Sequence, residues 1–129
     1  MSEIKFRAWC KQYGDPGFMV YPGDYNDEFI TFDGKPIEIK VSQYEYEADE
    51  LKYELMQYTG LKDKKGKEIY EGDIIKIGDY LPYEVIVNNF SKVHCIDNEL
   101  GQEELFKYHK SCKVIGNIFE SPELMVENQ

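Results

Sequence analysis

Cysteine is scarce in this chain: Cys10, Cys95 and Cys112 stand at irregular spacings and make an odd number. Such a set excludes a disulfide framework and fits reduced thiols in a cytoplasmic compartment. Long apolar runs are missing too. No stretch approaches the roughly 18 residues of a membrane helix, and the opening MSEIKFRAW carries no apolar signal core, so a cytoplasmic protein without a membrane partner is expected. Positive charge is in deficit, with 15 Lys and Arg against 25 Asp and Glu and a net charge of -10. Long-range attraction to DNA or to anionic lipid is therefore disfavoured for the whole molecule. Any nucleic-acid surface has to be local. Neither repeats nor low-complexity segments occur.

What the chain has is aromatic mass. Of its 129 residues 42% are hydrophobic and 15% aromatic, with 11 Tyr and 7 Phe, too apolar for disorder and inclined to strands. The length fits one domain, 1–129, with hairpins and a connector over 1–54, a meander core over 55–120 and a tail over 121–129.

The most informative stretch is LMQYTGLKDKKGKEIYEGDIIKI, Leu55 to Ile77. Asp63-Lys64-Lys65-Gly66 reads as a turn, because an Asp opening a turn accepts hydrogen bonds from the following amides and a closing Gly tolerates positive φ. Glu71-Gly72-Asp73 breaks the next apolar run. Ile74 to Ile77 then alternates as a strand, with Ile75 and Ile77 on one face. A phosphate-loop reading of Gly60 to Lys67 fails, since five residues separate the glycines and Glu68 stands where a metal-binding hydroxyl belongs.

The runs Met56 to Asp63 and Gly66 to Ile74, with Ile4 to Trp9 near the start and Val114 to Leu124 near the end, resemble the YopX family of bacteriophage and prophage proteins. That resemblance implies a phage-encoded, cytoplasmic, largely β protein, and it implies no activity.

The remaining chain reads as short strands between turn signals. Phe6, Ala8 and Cys10 are expected on the buried face of a strand that pairs with Phe18 to Tyr21 across a Gly14 to Gly17 turn. Asp33-Gly34 predicts a type I′ hairpin between Phe29–Phe32 and Lys35–Val41. Tyr44 and Tyr46 alternate as a strand, and Ala48 to Leu55 predicts a short helical turn. Strands are expected over Tyr83–Val87, Lys92–Asp97 and Lys113–Phe119, the last interrupted at Gly116, with helical turns over Gln102–His109 and after Ser121. The expected fold is mainly β: an SH3-like small β-barrel in the C-terminal half, an N-terminal hairpin sheet, and one or two short helical turns.

Few residues invite chemistry. His94, Cys95, His109 and Cys112 are the soft ligands, but neighbours on a strand point to opposite faces, so neither a metal site nor any other cofactor is expected. Cys112 near His109 and the carboxylates Glu71 and Asp73 are the candidate catalytic groups, without a surrounding motif. Trp9 is a candidate contact residue at a subunit edge. Tyr58, Tyr70 and Tyr83, beside Lys62, Lys64, Lys65 and Lys67, are candidates for stacking on single-stranded nucleic acid. The expected function is a non-catalytic accessory protein that forms a homo-oligomer and docks a host or phage protein through aromatic and acidic surface. The alternatives are a single-strand binder, an acidic DNA mimic, or an enzyme of unspecified reaction.

Overall fold

A computed structural model describes residues 5–11, 17–21, 39–41, 44–46 and 52–126. The chain divides into two compact units, Met1–Gln57 and Tyr58–Gln129. It is mainly β, as expected.

In the first unit, β1 (Phe6–Lys11) pairs antiparallel with β2 (Phe18–Val20). The other edge of β1 takes the first half of β5 (Lys52–Lys62), with Phe6 opposite Gln57 and Lys11 opposite Lys52. Alternation buries Ala8 and Cys10 as read from the sequence. Arg7, expected on the polar face, is nevertheless only 2% exposed. Its guanidinium lies 5.9 Å from the Tyr21 ring centroid, and Nη1 donates toward the Tyr21 hydroxyl at 3.5 Å. The ring offsets part of the cost of burying the charge, while the buried Arg7 Nε has no hydrogen-bond partner among the described residues. The Trp9 ring covers Gly17, where an added Cβ would sit 2.4 Å from the indole. Packing on its own chain is what this geometry gives Trp9.

A short ladder joins β3 (Ile39–Val41) to β4 (Tyr44–Tyr46). The Asp33-Gly34 hairpin lies outside the described residues. The helical turn expected over Ala48 to Leu55 is overturned where it is described, because Lys52 to Leu55 are extended and paired to β1. Non-local pairing outweighs a weak helical preference over so few residues.

The second unit is built from the latter half of β5, β6 (Glu68–Tyr70), β7 (Asp73–Lys76), β8 (Tyr83–Val87), β9 (His94–Asn98), β10 (Gly101–Glu104) and β11 (Lys113–Asn117). Five of these form an antiparallel sheet in the order β10-β9-β8-β7-β11. One face of it buries Ile75, Val85 and Ile96 against Ile69, Leu105 and Cys112, and Leu61, Ile77, Tyr83, Tyr108 and Val114 pack around them. The segment Gln102 to His109, expected to be helical, begins instead as edge strand β10 and only then closes into 3-10 turns at Leu105–Lys107 and His109–Ser111. All four residues of β10 are exposed, so no hydrophobic alternation marks it.

Residues of the central stretch and of Val114 to Leu124 hold the turns. Thr59 Oγ1 donates to the Ile69 carbonyl at 2.8 Å where the β5–β6 register shifts. Gly72, at φ 88°, gives its N–H to Val85 and its carbonyl to Ile118. A side chain there would be forced into the left-handed region while both backbone groups are engaged. Buried Asn117 caps the following turn, its Oδ1 accepting the amides of Phe119 and Glu120 at 3.0 and 2.8 Å. Helix α1 (Glu123–Val126) follows.

The expected interruption at Gly116 is present as a register shift against β7. An added Cβ would meet Leu124 Cδ1 at 2.9 Å and Ser121 Cβ at 3.1 Å. Gly116→Ala should therefore destabilise by about 1–2 kcal/mol through overpacking. The check is the urea midpoint of the variant; an unchanged midpoint would show that Leu124 moves aside at no cost.

Candidate functional site

Two loops of the second unit are tied together by hydrogen bonds. The β5–β6 turn is organised by Asp63, which is 6% exposed. Its Oδ1 accepts the amides of Lys65 and Lys67 at 2.8 and 2.9 Å, and its Oδ2 accepts the amide of Val114 at 2.8 Å. The Lys64 amide donates to the Cys112 carbonyl at 2.9 Å, and His109 Nδ1 donates to the Lys62 carbonyl at 2.7 Å. That last bond requires the proton on Nδ1. Burial would raise the Asp63 carboxyl, but the amides of Val114, Lys67 and Lys65, with the Lys67 charge, outweigh it and hold the group below its ordinary value.

These bonds bring the expected cluster of Lys62, Lys64, Lys65 and Lys67 beside three lysines that sequence reading passed over, Lys107, Lys110 and Lys113. All seven are exposed. Phe106, 71% exposed, stands over this loop with its ring centroid 6.1 Å from that of His109. Phe106-Lys107, His109-Lys110 and Lys113 interleave aromatic and basic residues in the sequence, but only long-range bonds bring them beside Lys62 to Lys67.

The expected tyrosine platform is different in the structure. Tyr58 and Tyr70 are 6% and 3% exposed, with ring centroids 5.5 Å apart, so their faces are occupied inside the fold. Tyr83 is half-buried against the core. Strand alternation puts these rings inward, and position 106 is where an aromatic face stays open.

The four soft ligands go separate ways. His94 Nε2 is 2.8 Å from Glu71 Oε2, and Cys95 Sγ donates to the Val93 carbonyl at 3.6 Å. Cys112 is fully buried, and its Sγ donates to the His109 backbone carbonyl at 3.4 Å rather than to the imidazole. Among the described residues no three His, Cys, Asp or Glu side chains are placed to share an ion. Burial first, and then the Asp63 charge, push the Cys112 thiol up to about 11, which disfavours the nucleophilic thiolate near neutral pH. Cys10 is likewise pushed up to about 11 by burial. Glu71 and Asp73 have different partners: Glu71 Oε2 lies 2.8 Å from His94 Nε2, and buried Asp73 accepts the Tyr70 amide at 2.8 Å. Opposite each other on β8 and β9, Glu84 and Asp97 are like charges, and Glu84 is raised by burial and then by Asp97.

A second exposed feature is the β8–β9 turn. Asn88 Oδ1 accepts the amides of Phe90 and Ser91 at 2.9 and 3.0 Å, while the Asn88 and Val93 backbones and the Lys92 and Asn88 backbones are bonded at 2.9 and 2.8 Å. Phe90 is 97% exposed on this internally braced turn, flanked by the partly exposed Val87 and Val93.

The family model described as YopX protein matches residues 5–126. The chain belongs to the YopX family. Its fold is similar to that in the crystal structure of protein EF1440 from Enterococcus faecalis, with 25% identity, a TM-score of 0.56, and coverage of 97% of this chain and 99% of that one. No curated protein matches. In this YopX protein the residues that carry the family resemblance, Asp63, Gly72, Asp73 and Asn117 among them, are occupied with turns and caps. Their side chains and backbones are committed to architecture.

Proposed function

We propose that this YopX protein is a non-catalytic phage accessory protein that acts by contact and associates with further copies of itself. The observation that carries this reading is Phe90, an almost fully exposed aromatic ring on a turn whose backbone is already fixed by four hydrogen bonds. A ring presented in this way loses little conformational freedom on docking, and large aromatics are the usual anchors of protein contacts. Val87 and Val93 extend the apolar tip, so two copies related by a two-fold axis bury like against like.

Sedimentation equilibrium tests it. The wild-type chain should associate with concentration, and Phe90→Asp should weaken association by roughly 30-fold or more, the loss of an anchor worth about 2 kcal/mol. The urea midpoint should stay put, because the ring touches little in the monomer. A wild-type chain that is monomeric at every concentration sinks the proposal, as does a Phe90→Asp variant that assembles like the parent.

A further inference from the structure

We infer that the lysine-rich surface of the second unit binds single-stranded nucleic acid, with Phe106 as the stacking residue. This goes beyond the contact function proposed above and uses a different surface. Positions 62–67 and 105–113 hold seven lysines and one acid. That acid is Asp63, whose carboxylate is turned inward onto three amides. The patch is therefore strongly positive on a protein whose net charge is -10. At physiological salt, charges further than about 8 Å are largely screened, so a ligand in contact with these loops responds to the lysines rather than to the whole molecule.

Two features point to a ligand. Lys113 lies directly opposite Lys76 in the β11–β7 ladder, a like-charge pair that destabilises a sheet unless an anion offsets it. Phe106 keeps an exposed ring at the edge of the same loop, next to His109. Phosphate alone needs no aromatic face, and a duplex shows its base faces only at its ends. A single strand offers both a charged backbone and open bases. The loops are also set in advance, through His109 Nδ1 to the Lys62 carbonyl and Lys64 to the Cys112 carbonyl. Glu68 lies opposite Lys62 in the β5–β6 ladder, and the exposed Glu103 and Glu104 of β10 immediately precede Leu105, so the uncompensated charge is that of Lys64, Lys65, Lys67, Lys107, Lys110 and Lys113.

Fluorescence anisotropy with a labelled oligothymidylate, titrated at several salt concentrations, decides the matter. Binding should weaken with salt, with a log–log slope lowered by about 0.7 for each phosphate-contacting lysine removed, as in Lys64→Ala combined with Lys65→Ala. Phe106→Ala should lower affinity by roughly 5- to 100-fold, the usual range for one base–aromatic contact, and leave the slope unchanged. Lys92→Ala, in the β8–β9 turn rather than in either lysine-bearing loop, should bind like the parent. No anisotropy change at low salt overturns the inference. So does equal affinity for duplex, displacement by polyglutamate as effective as by unlabelled oligothymidylate, or a Phe106→Ala variant that binds normally. None of these outcomes depends on whether Phe90 mediates self-association, since Phe90→Asp should retain the oligonucleotide.

Discussion

Asp63→Ala is expected to lower the stability of the second unit by about 3 kcal/mol. Three backbone amides, of Lys65, Lys67 and Val114, donate to this one buried carboxylate. Hydrogen bonds to a charged acceptor contribute about 1.5–3 kcal/mol each when removed singly, and three on one group overlap, so the summed loss falls well below the simple total. The Val114 bond matters most, because it fastens the β5–β6 turn to β11 across 51 positions of sequence. Asp63→Asn keeps one acceptor oxygen and turns an NH2 toward an amide donor, so roughly half of the loss should remain.

The same carboxylate sets an acid limit. Its folded pKa is depressed relative to an unfolded value of about 3.9, so its stabilisation is complete above roughly pH 4 and drains away as pH falls through the lower folded value. Asp63→Asn, which does not titrate there, should flatten that part of the acid limb. Trp9 is the sole tryptophan and lies in the first unit, so the measurement has to follow amide signals of β7 to β9 in urea. A midpoint within error of the parent for Asp63→Ala would mean that the turn holds itself without the carboxylate.

Leu105→Ala should cost about 3 kcal/mol, the middle of the range for deleting a buried leucine. Leu105 is fully buried, at the junction of β10 and the 3-10 turns, in the cluster with Ile75, Val85 and Ile96. Truncation leaves a cavity beneath the loop that presents Phe106 and Lys107, so oligonucleotide affinity should fall with stability. Its neighbour gives the contrast: Phe106 is 71% exposed, and Phe106→Ala should change stability by no more than about 0.5 kcal/mol. The two variants, one residue apart, should thus separate folding from binding. If both shift the urea midpoint equally, the assignment of Leu105 to the core and Phe106 to the surface is wrong.

Much of the architecture was legible because its punctuation is local chemistry. Asp63 to Gly66, Glu71 to Asp73 and Gly116 act within a few residues of themselves, and each turn or interruption stands where its residue types require it. β10 was illegible for the opposite reason. Gly101 to Glu104 carries no apolar pattern and is a strand only because β9 offers it an edge. The extended state of Lys52 to Leu55 likewise depends on pairing with β1, more than 40 positions away.

The candidate surface divides along the same line. Lys62 to Lys67 was visible as a charged turn, and the tyrosines were visible as aromatic mass. Burial of Tyr58 and Tyr70, exposure of Phe106 and arrival of Lys107, Lys110 and Lys113 were not. The sequence by itself determined the turns, the β character and the family, since hydrogen bonding within a few residues and alternation along a strand need no knowledge of the rest of the chain. Only the tertiary structure decided which side chains share a surface, because bonds such as Asp63 to Val114 and His109 to Lys62 join segments whose separation in sequence carries no trace of their contact in space.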